Sequence, residues 1–209
     1  MSDRLLLVCR GWQHRRPACD RVSKRRLAAY ATCKRQTEGS SDQVAPRSGG
    51  QKVARGEMQF VKESLIRAPP ERVFAFHEQP DALQLLTPPW EASHVVQMAC
   101  ISEVGSRAII EARVFGRWKL RWVAEHTAYD PPRMFEDVQI KGPFRRWRHR
   151  HLISANEDGA ILRDEIDYEP PLWFLGRAAA PLAIEPRLRK LFAFRHDVTR
   201  QWCEGGMKG

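Results

Sequence analysis

RWRHRHLISANEDGAILRDEIDYE, residues 146–169, is the stretch on which the reading of the whole chain turns. Its first half alternates. Trp147, His149, His151 and Ile153 fall on one side of an extended chain, and Arg146, Arg148 and Arg150 on the other. That period of two belongs to a β-strand. Three arginines on one face belong in water, so the Trp/His face points inward. Asn156-Glu157-Asp158-Gly159 is a turn signal, after which Leu162, Asp164, Ile166 and Tyr168 share a face. Two alternating runs joined by a tight turn make an antiparallel hairpin.

The same pattern extends upstream. Strand-like runs are expected near residues 94–98, 107–115, 118–129 and 133–140, with the hairpin strands at 146–155 and 160–169. Short Gly- or Pro-containing turns separate them, which implies a meander of antiparallel neighbours. On these strands Phe135, Asp137 and Gln139 share a face. Trp118, Leu120, Trp122 and Ala124 face in, with Lys119, Arg121 and Glu125 out. Before the meander, Met58 to Ile66 alternates as a first strand. Pro69 and Pro70 then suit a helix start, because proline's missing N–H costs nothing there. Val73, Phe74 and His77 follow at helical spacing, with His77 read as a partly exposed helix residue. Pro80 ends this helix, Asp81 is the expected N-cap of a second one through Leu86, and Thr87-Pro88-Pro89-Trp90 stops that. After Pro170-Pro171 the chain turns helical to about Cys203, with Pro181 and Pro186 at its start or a kink. Leu188, Leu191, Val198 and Trp202 lie on one helix face, and the sheet is the only apolar partner for it. The fold class is therefore α+β, with one domain over residues 58–209.

Residues 1–57 stand apart. They carry 13 Lys/Arg against 5 Asp/Glu, whereas the remainder carries 22 against 20. The formal net charge of +10 thus resides mainly in this segment, and the domain offers no basic face of the kind that binds nucleic acid. Residues 36–57 are polar and rich in Gly and Ser, a composition that does not order itself. Three readings of the extension stay open: an upstream overrun of the true start at Met58, a transit-like presequence, or a basic tail. No run reaches the roughly 20 apolar residues a membrane-crossing helix needs. The five cysteines are widely and irregularly spaced, which reads as reduced thiols in a cytoplasmic protein.

Four strings carry a family resemblance: APPERVFAFHEQPDALQLLTPPW (68–90), FEDVQIKGPFRRWRHRHLI (135–153), DEIDYEPP (164–171) and RLRKLFAFRHDV (187–198). With the element order, they resemble an uncharacterised bacterial branch of the START, birch-pollen-allergen and polyketide cyclase/dehydrase superfamily, SRPBCC. The resemblance spans about Met58 to Trp202. It implies a helix-grip fold, in which a curved sheet of about seven strands wraps a long C-terminal helix, with two short helices after the first strand. That superfamily includes lipid carriers, hydrophobic-ligand binders, chaperone activators and enzymes, so it leaves activity open.

In that frame the inward faces gather an unusual polar set: Asp137, His149, His151 and Asp164, with Tyr168 beside them and Arg195 on the helix stripe. Buried charge is costly unless paired, and these groups are each other's natural partners. The set is expected either to clamp helix to sheet or to orient the polar end of a ligand. Apolar contact would come from Trp122, Phe135, Trp147 and Phe192, with Trp90 at the cavity rim or as a turn plug. An enzyme of cyclase or dehydratase type would use His149 or His151 as acid/base, oriented by Asp137 or Asp164. A third reading is a protein-interaction module, with an apolar patch around Trp90 or Trp173. His149 and His151 lie two apart on one strand, but no third histidine is well placed, so neither a metal nor another cofactor is expected. The apolar run Leu172–Leu175 and the outer stripe of Arg146, Arg148, Arg150, Arg121 and Lys119 are candidates for transient contact with a membrane surface.

Overall fold

The computed structural model describes residues 57–114, 118–171, 182 and 184–205. Residues 1–56 of the N-terminal extension, the Phe115–Arg117 turn, the Leu172–Leu175 run and Pro181 lie outside them. The described residues all fall in the second of the chain's two units, Asp42–Gly209.

Seven strands and three helices follow in the expected order. They are β1 (Met58–Ile66), α1 (Pro70–His77), α2 (Ala82–Leu85), β2 (Ser93–Gln97), β3 (Arg107–Val114), β4 (Trp118–Asp130), β5 (Met134–Lys141), β6 (Arg146–Asn156), β7 (Gly159–Glu169) and α3 (Glu185–Cys203). The strands form one sheet in the order β1-β7-β6-β5-β4-β3-β2, every pair antiparallel. The β4–β5 pairing carries two register shifts, at Val123/Ala124, where Ile140 of β5 is extra, and at His126/Ala128, where Thr127 of β4 is extra. Each extra residue bends its strand and tightens the local twist, which curls the sheet about the helix. Gly159 closes the β6–β7 turn at φ 141°, and a Cβ there would collide with the Ile66 carbonyl oxygen. Only glycine meets both demands.

The local signals act as read. Pro70 opens α1, and the Pro69 carbonyl accepts from Arg72 N and Val73 N. Asp81 does occupy the N-cap of α2, but its side chain makes no capping hydrogen bond. α3 has Pro186 in its first turn.

The alternation on β6 and β7 holds. Trp147, His149, His151 and Ile153 are buried, as are Leu162, Asp164, Ile166 and Tyr168. Two apolar clusters result. One gathers Ile66, Val73, Phe74, Phe76, Phe135, Ile153 and Leu162 beneath α1. The other joins Phe60, Trp147, Ile166 and Tyr168 to Leu188 and Phe192 of α3. Each fully buried large apolar side chain contributes roughly 1.5–3 kcal/mol.

Two sequence readings need correction. The buried face of α3 is Leu188, Phe192, His196, Thr199 and Cys203. Of the expected stripe only Leu188 is sealed, and Leu191, Val198 and Trp202 are partly exposed. The helix is rolled so that a histidine and a threonine go inside, which hydrophobicity alone does not reveal. His77 is also buried: its Nδ1 lies 2.9 Å from the Val73 carbonyl, and its ring packs on Phe76, Phe135 and His151. Among the described residues, Cys203 is a free, buried cysteine.

Candidate functional site

The backbone register builds the centre of the concave face. Asp137 of β5 sits opposite His149 of β6, Phe135 opposite His151, and His151 opposite Asp164 of β7. Same-face side chains on paired strands are within reach of one another. The result is a polar layer between the two apolar clusters.

Asp164 is its hub. His149 Nε2 lies 3.1 Å from Oδ1, and His196 Nε2, from α3, lies 2.7 Å from Oδ2. His151 Nδ1 comes within 2.6 Å of Oδ1, but the ring is not directed at that oxygen for a hydrogen bond. The second nitrogens of the two β6 rings turn toward Asp137: His149 Nδ1 stands 3.4 Å and His151 Nε2 3.9 Å from its Oδ2. His149 therefore bridges two carboxylates. The side chains of Asp164 and His149 are 3% and 4% exposed, while that of Asp137 is 16% exposed, so Asp137 is the carboxylate at the open end of the layer.

Charge follows from this geometry. Burial opposes ionisation of His149, but hydrogen bonds to Asp137 and Asp164, with their charges, overcome it and raise its pKa to about 9. Burial, reinforced by the neighbouring His149, pushes His151 down to about 3. His77 falls to about 4, chiefly through burial. Burial also lowers His126. Burial favours the neutral carboxyl at Asp137 and Asp164, yet the histidines around them hold both below the usual carboxylate range. The two carboxylates thus hold an imidazolium at His149.

Arg195 does not complete the group as expected. Its Nε donates to the Leu86 carbonyl at 3.2 Å and its guanidinium lies over the Phe192 ring. Burial lowers its pKa, while Asp164 and Asp137 support its charge only through space. His196, one residue on, is the helix residue that grips Asp164. Trp90 also lies apart: it packs edge-on against Phe194 under Lys190 Nζ, and Arg187–Glu91 at 2.6 Å fixes the same loop to α3. Gln139 is committed to the β5–β6 turn, donating to the Phe144 carbonyl at 2.7 Å. That turn presents Phe144 to Trp122, Trp147 and Tyr168, and Trp122 meets Trp147 edge-on at 5.0 Å. Phe135 stacks on His151 at 4.0 Å, and Phe192 meets His149 edge-on.

Two residues of the layer were missed. His196 falls four residues after Phe192 and eight after Leu188, so a helical reading that began from Leu188 and Phe192 would have reached it. His126 is buried and sits opposite Asp137. Extending the alternation Trp118, Leu120, Trp122, Ala124 by one step gives it directly. Four buried polar atoms here have no hydrogen-bond partner among the described residues: His126 Nδ1, His151 Nδ1, His196 Nδ1 and the Tyr168 hydroxyl.

The convex face is different. Arg146 pairs with Glu57, Arg148 with Asp167 and Arg150 with Glu165, so this stripe is neutralised across strands. A groove of about 490 Å³ lies between β1 and the start of α3, lined by Gln59, Phe60, Val61, Lys62, Glu185 and Arg189. It contains none of the Asp/His residues and is not the site described here.

A curved seven-stranded antiparallel sheet holding a C-terminal helix, with two short helices after the first strand, is the helix-grip fold of the SRPBCC superfamily. Within it the chain belongs to the family described as polyketide cyclase/dehydrase and lipid transport, which it matches over residues 66–194. A search of curated proteins finds none similar in sequence. Among solved structures, protein CV1439 from Chromobacterium violaceum is 16% identical with a TM-score of 0.55, covering 70% of this chain and 97% of its own. A Thermus thermophilus protein is 19% identical with a TM-score of 0.54, over 73% and 99%. The di-domain aromatase/cyclase StfQ of the steffimycin biosynthetic pathway is 11% identical with a TM-score of 0.55, over 71% and 52%. At these identities the likeness is one of fold. Among the described residues no helix is long and apolar enough to cross a membrane.

Proposed function

We propose that this domain binds a small hydrophobic or lipid-like molecule on the concave face of the sheet, with the ligand's polar end at Asp137. One observation carries the reading. α3 packs on β1 and α1, and the inward side chains it covers on β6 and β7 are sealed. The same-face residues farther along the sheet, Ile110 on β3 and Leu120, Trp122 and Ala124 on β4, stay partly exposed. An apolar strip left open inside a curved sheet, with an ionised carboxylate at its border, is the chemistry of a ligand cleft. The lipid-transport part of the family description agrees with it.

The acid–base alternative is less well served. Both nitrogens of His149 face carboxylates, and the ring is sealed from solvent. His151 is held neutral with a pKa of about 3, far from the value a general base at neutral pH needs.

Titration of the full chain with a polarity-sensitive apolar fluorophore tests the proposal. Saturable binding that Trp122→Ala weakens is expected. Absence of saturable binding, or identical binding by the variant, overturns it.

A further inference from the structure

The polar layer has two sides, and Asp164 uses only one. It sits behind the rings of His149 and His151, against Nε2 of the first and Nδ1 of the second. The opposite nitrogens, His149 Nδ1 and His151 Nε2, face Asp137 Oδ2 at 3.4 and 3.9 Å, and one donor atom from each of the three residues lies within 4.8 Å of the others. We propose that these three atoms form a binding site for one first-row divalent cation of the zinc type, backed by Asp164.

Four features support it. The first is donor chemistry: two imidazoles and one carboxylate suit zinc, cobalt(II) or iron(II), whereas calcium and magnesium prefer all-oxygen sets. The second is spacing. Metal–ligand bonds of about 2.0–2.2 Å place neighbouring donors roughly 3–3.6 Å apart. The Asp137–His149 separation of 3.4 Å already fits; His151 Nε2, at 3.9 Å from Asp137, and the two histidine donors, within 4.8 Å of each other, must draw in on binding. Backbone register sets this spacing, because the histidines are two apart on β6 and Asp137 is the cross-strand partner of His149. The third is the supporting carboxylate. A ligating histidine typically gives its other N–H to a carboxylate, which fixes ring orientation. Here Asp164 hydrogen-bonds to His149 Nε2 and lies 2.6 Å from His151 Nδ1 without a directed hydrogen bond, and His196 from α3 binds its second oxygen. The fourth is access: Asp137, at 16% side-chain exposure, is the most open of the three, ahead of His151 at 10% and His149 at 4%. His126, the cross-strand neighbour of Asp137 on β4, adds a buried Nδ1 with no partner. Fewer than four protein ligands leave a coordination position free for water or a ligand oxygen. The inference stands whether or not an apolar molecule occupies the cleft.

The test is a titration of the untagged, chelator-stripped full chain with cobalt(II), followed by ligand-field absorption and completed by competition with zinc. One equivalent is expected, with a nitrogen/oxygen spectrum lacking sulfur charge-transfer bands. Asp137→Asn, isosteric and at the open end, should retain the wild-type circular dichroism and lose the saturable band. Asp164→Asn should weaken binding by about 10–100-fold. His94→Gln, on exposed β2, should match wild type. No saturable band, a sulfur-bearing spectrum, or an unchanged titration in Asp137→Asn would overturn the site.

Discussion

The two halves of the concave face are built from the same alternating strands, yet they have different fates. In the half formed by β1, β7 and β6, α3 and α1 cover the inward side chains, and Phe192, Ile166, Tyr168 and Leu162 are almost fully buried. In the half formed by β3 and β4, Ile110, Leu120, Trp122 and Ala124 stay partly exposed, while Ala108 and His126 are buried. Alternation therefore says which way a side chain points, and the placement of α3 says whether anything covers it. The Asp/His layer straddles the border, with Asp164 sealed in the closed half and Asp137 opening onto the other. One half is sealed by helices, and the other is the half to which ligand binding is proposed.

The sharpest way to break this comparison is at the hub. Asp164→Ala removes the carboxylate from three histidines in a dry site, and taking one partner from a buried ionic group costs about 3–5 kcal/mol. Urea unfolding should show that loss, and a loss under about 1 kcal/mol would mean the layer contributes little to the closed half. Next comes a matched pair of aromatic deletions. Phe192→Ala in the closed half should cost about 3–5 kcal/mol through the cavity it leaves. Trp122→Ala in the open half should cost only about 1 kcal/mol while weakening fluorophore binding. Equal stability costs would erase the distinction between the halves.

A gentler probe is pH, applied to the metal-free protein in chelator. His77 and His151 have folded pKa values of about 4 and 3, below the ordinary 6.5. On acidification below pH 6.5 the unfolded chain takes up their protons first, so stability falls. His149, raised to about 9, acts oppositely: its contribution is full below pH 6.5 and is lost as pH rises through 9. Asp137 and Asp164, held low, add stability that is lost at still more acid pH. Unfolding free energy should crest near pH 6.5 and fall on both flanks, and a profile rising steadily to pH 9 would contradict the imidazolium at His149. The smallest effect belongs to the convex face. Arg107→Ala breaks an exposed pair with Glu125 and should cost about 0.2–1 kcal/mol, fading with salt.

How much of this was legible in the sequence follows the same division. The antiparallel meander and the inward faces of its strands came through because period-two alternation and turn residues are local properties, and the β6–β7 hairpin shows both. The meeting of Asp137, His149, His151 and Asp164 was legible for that reason. The face of α3 was not. Its buried residues include His196 and Thr199, whose burial depends on a partner carboxylate and on the roll of the helix, both of them tertiary facts. Arg195 was assigned the role that His196 fills because the stripe was drawn through Leu191 and Val198. His77 looked exposed because a lone histidine on a short helix carries no sign of what packs over it. His126 could have been reached by one more step of alternation, before the bulge at His126/Ala128 ends the pattern.

The most direct test of ligand binding is native mass spectrometry of the untagged chain, purified gently from its own host, with denaturing analysis of whatever is released. A domain with an open apolar strip bordered by Asp137 should carry one added mass, lost on denaturation and resolving to an apolar molecule with one polar end. A bare polypeptide mass, unchanged after incubation with a lipid extract of the host, would contradict it and leave the Asp/His layer as architecture.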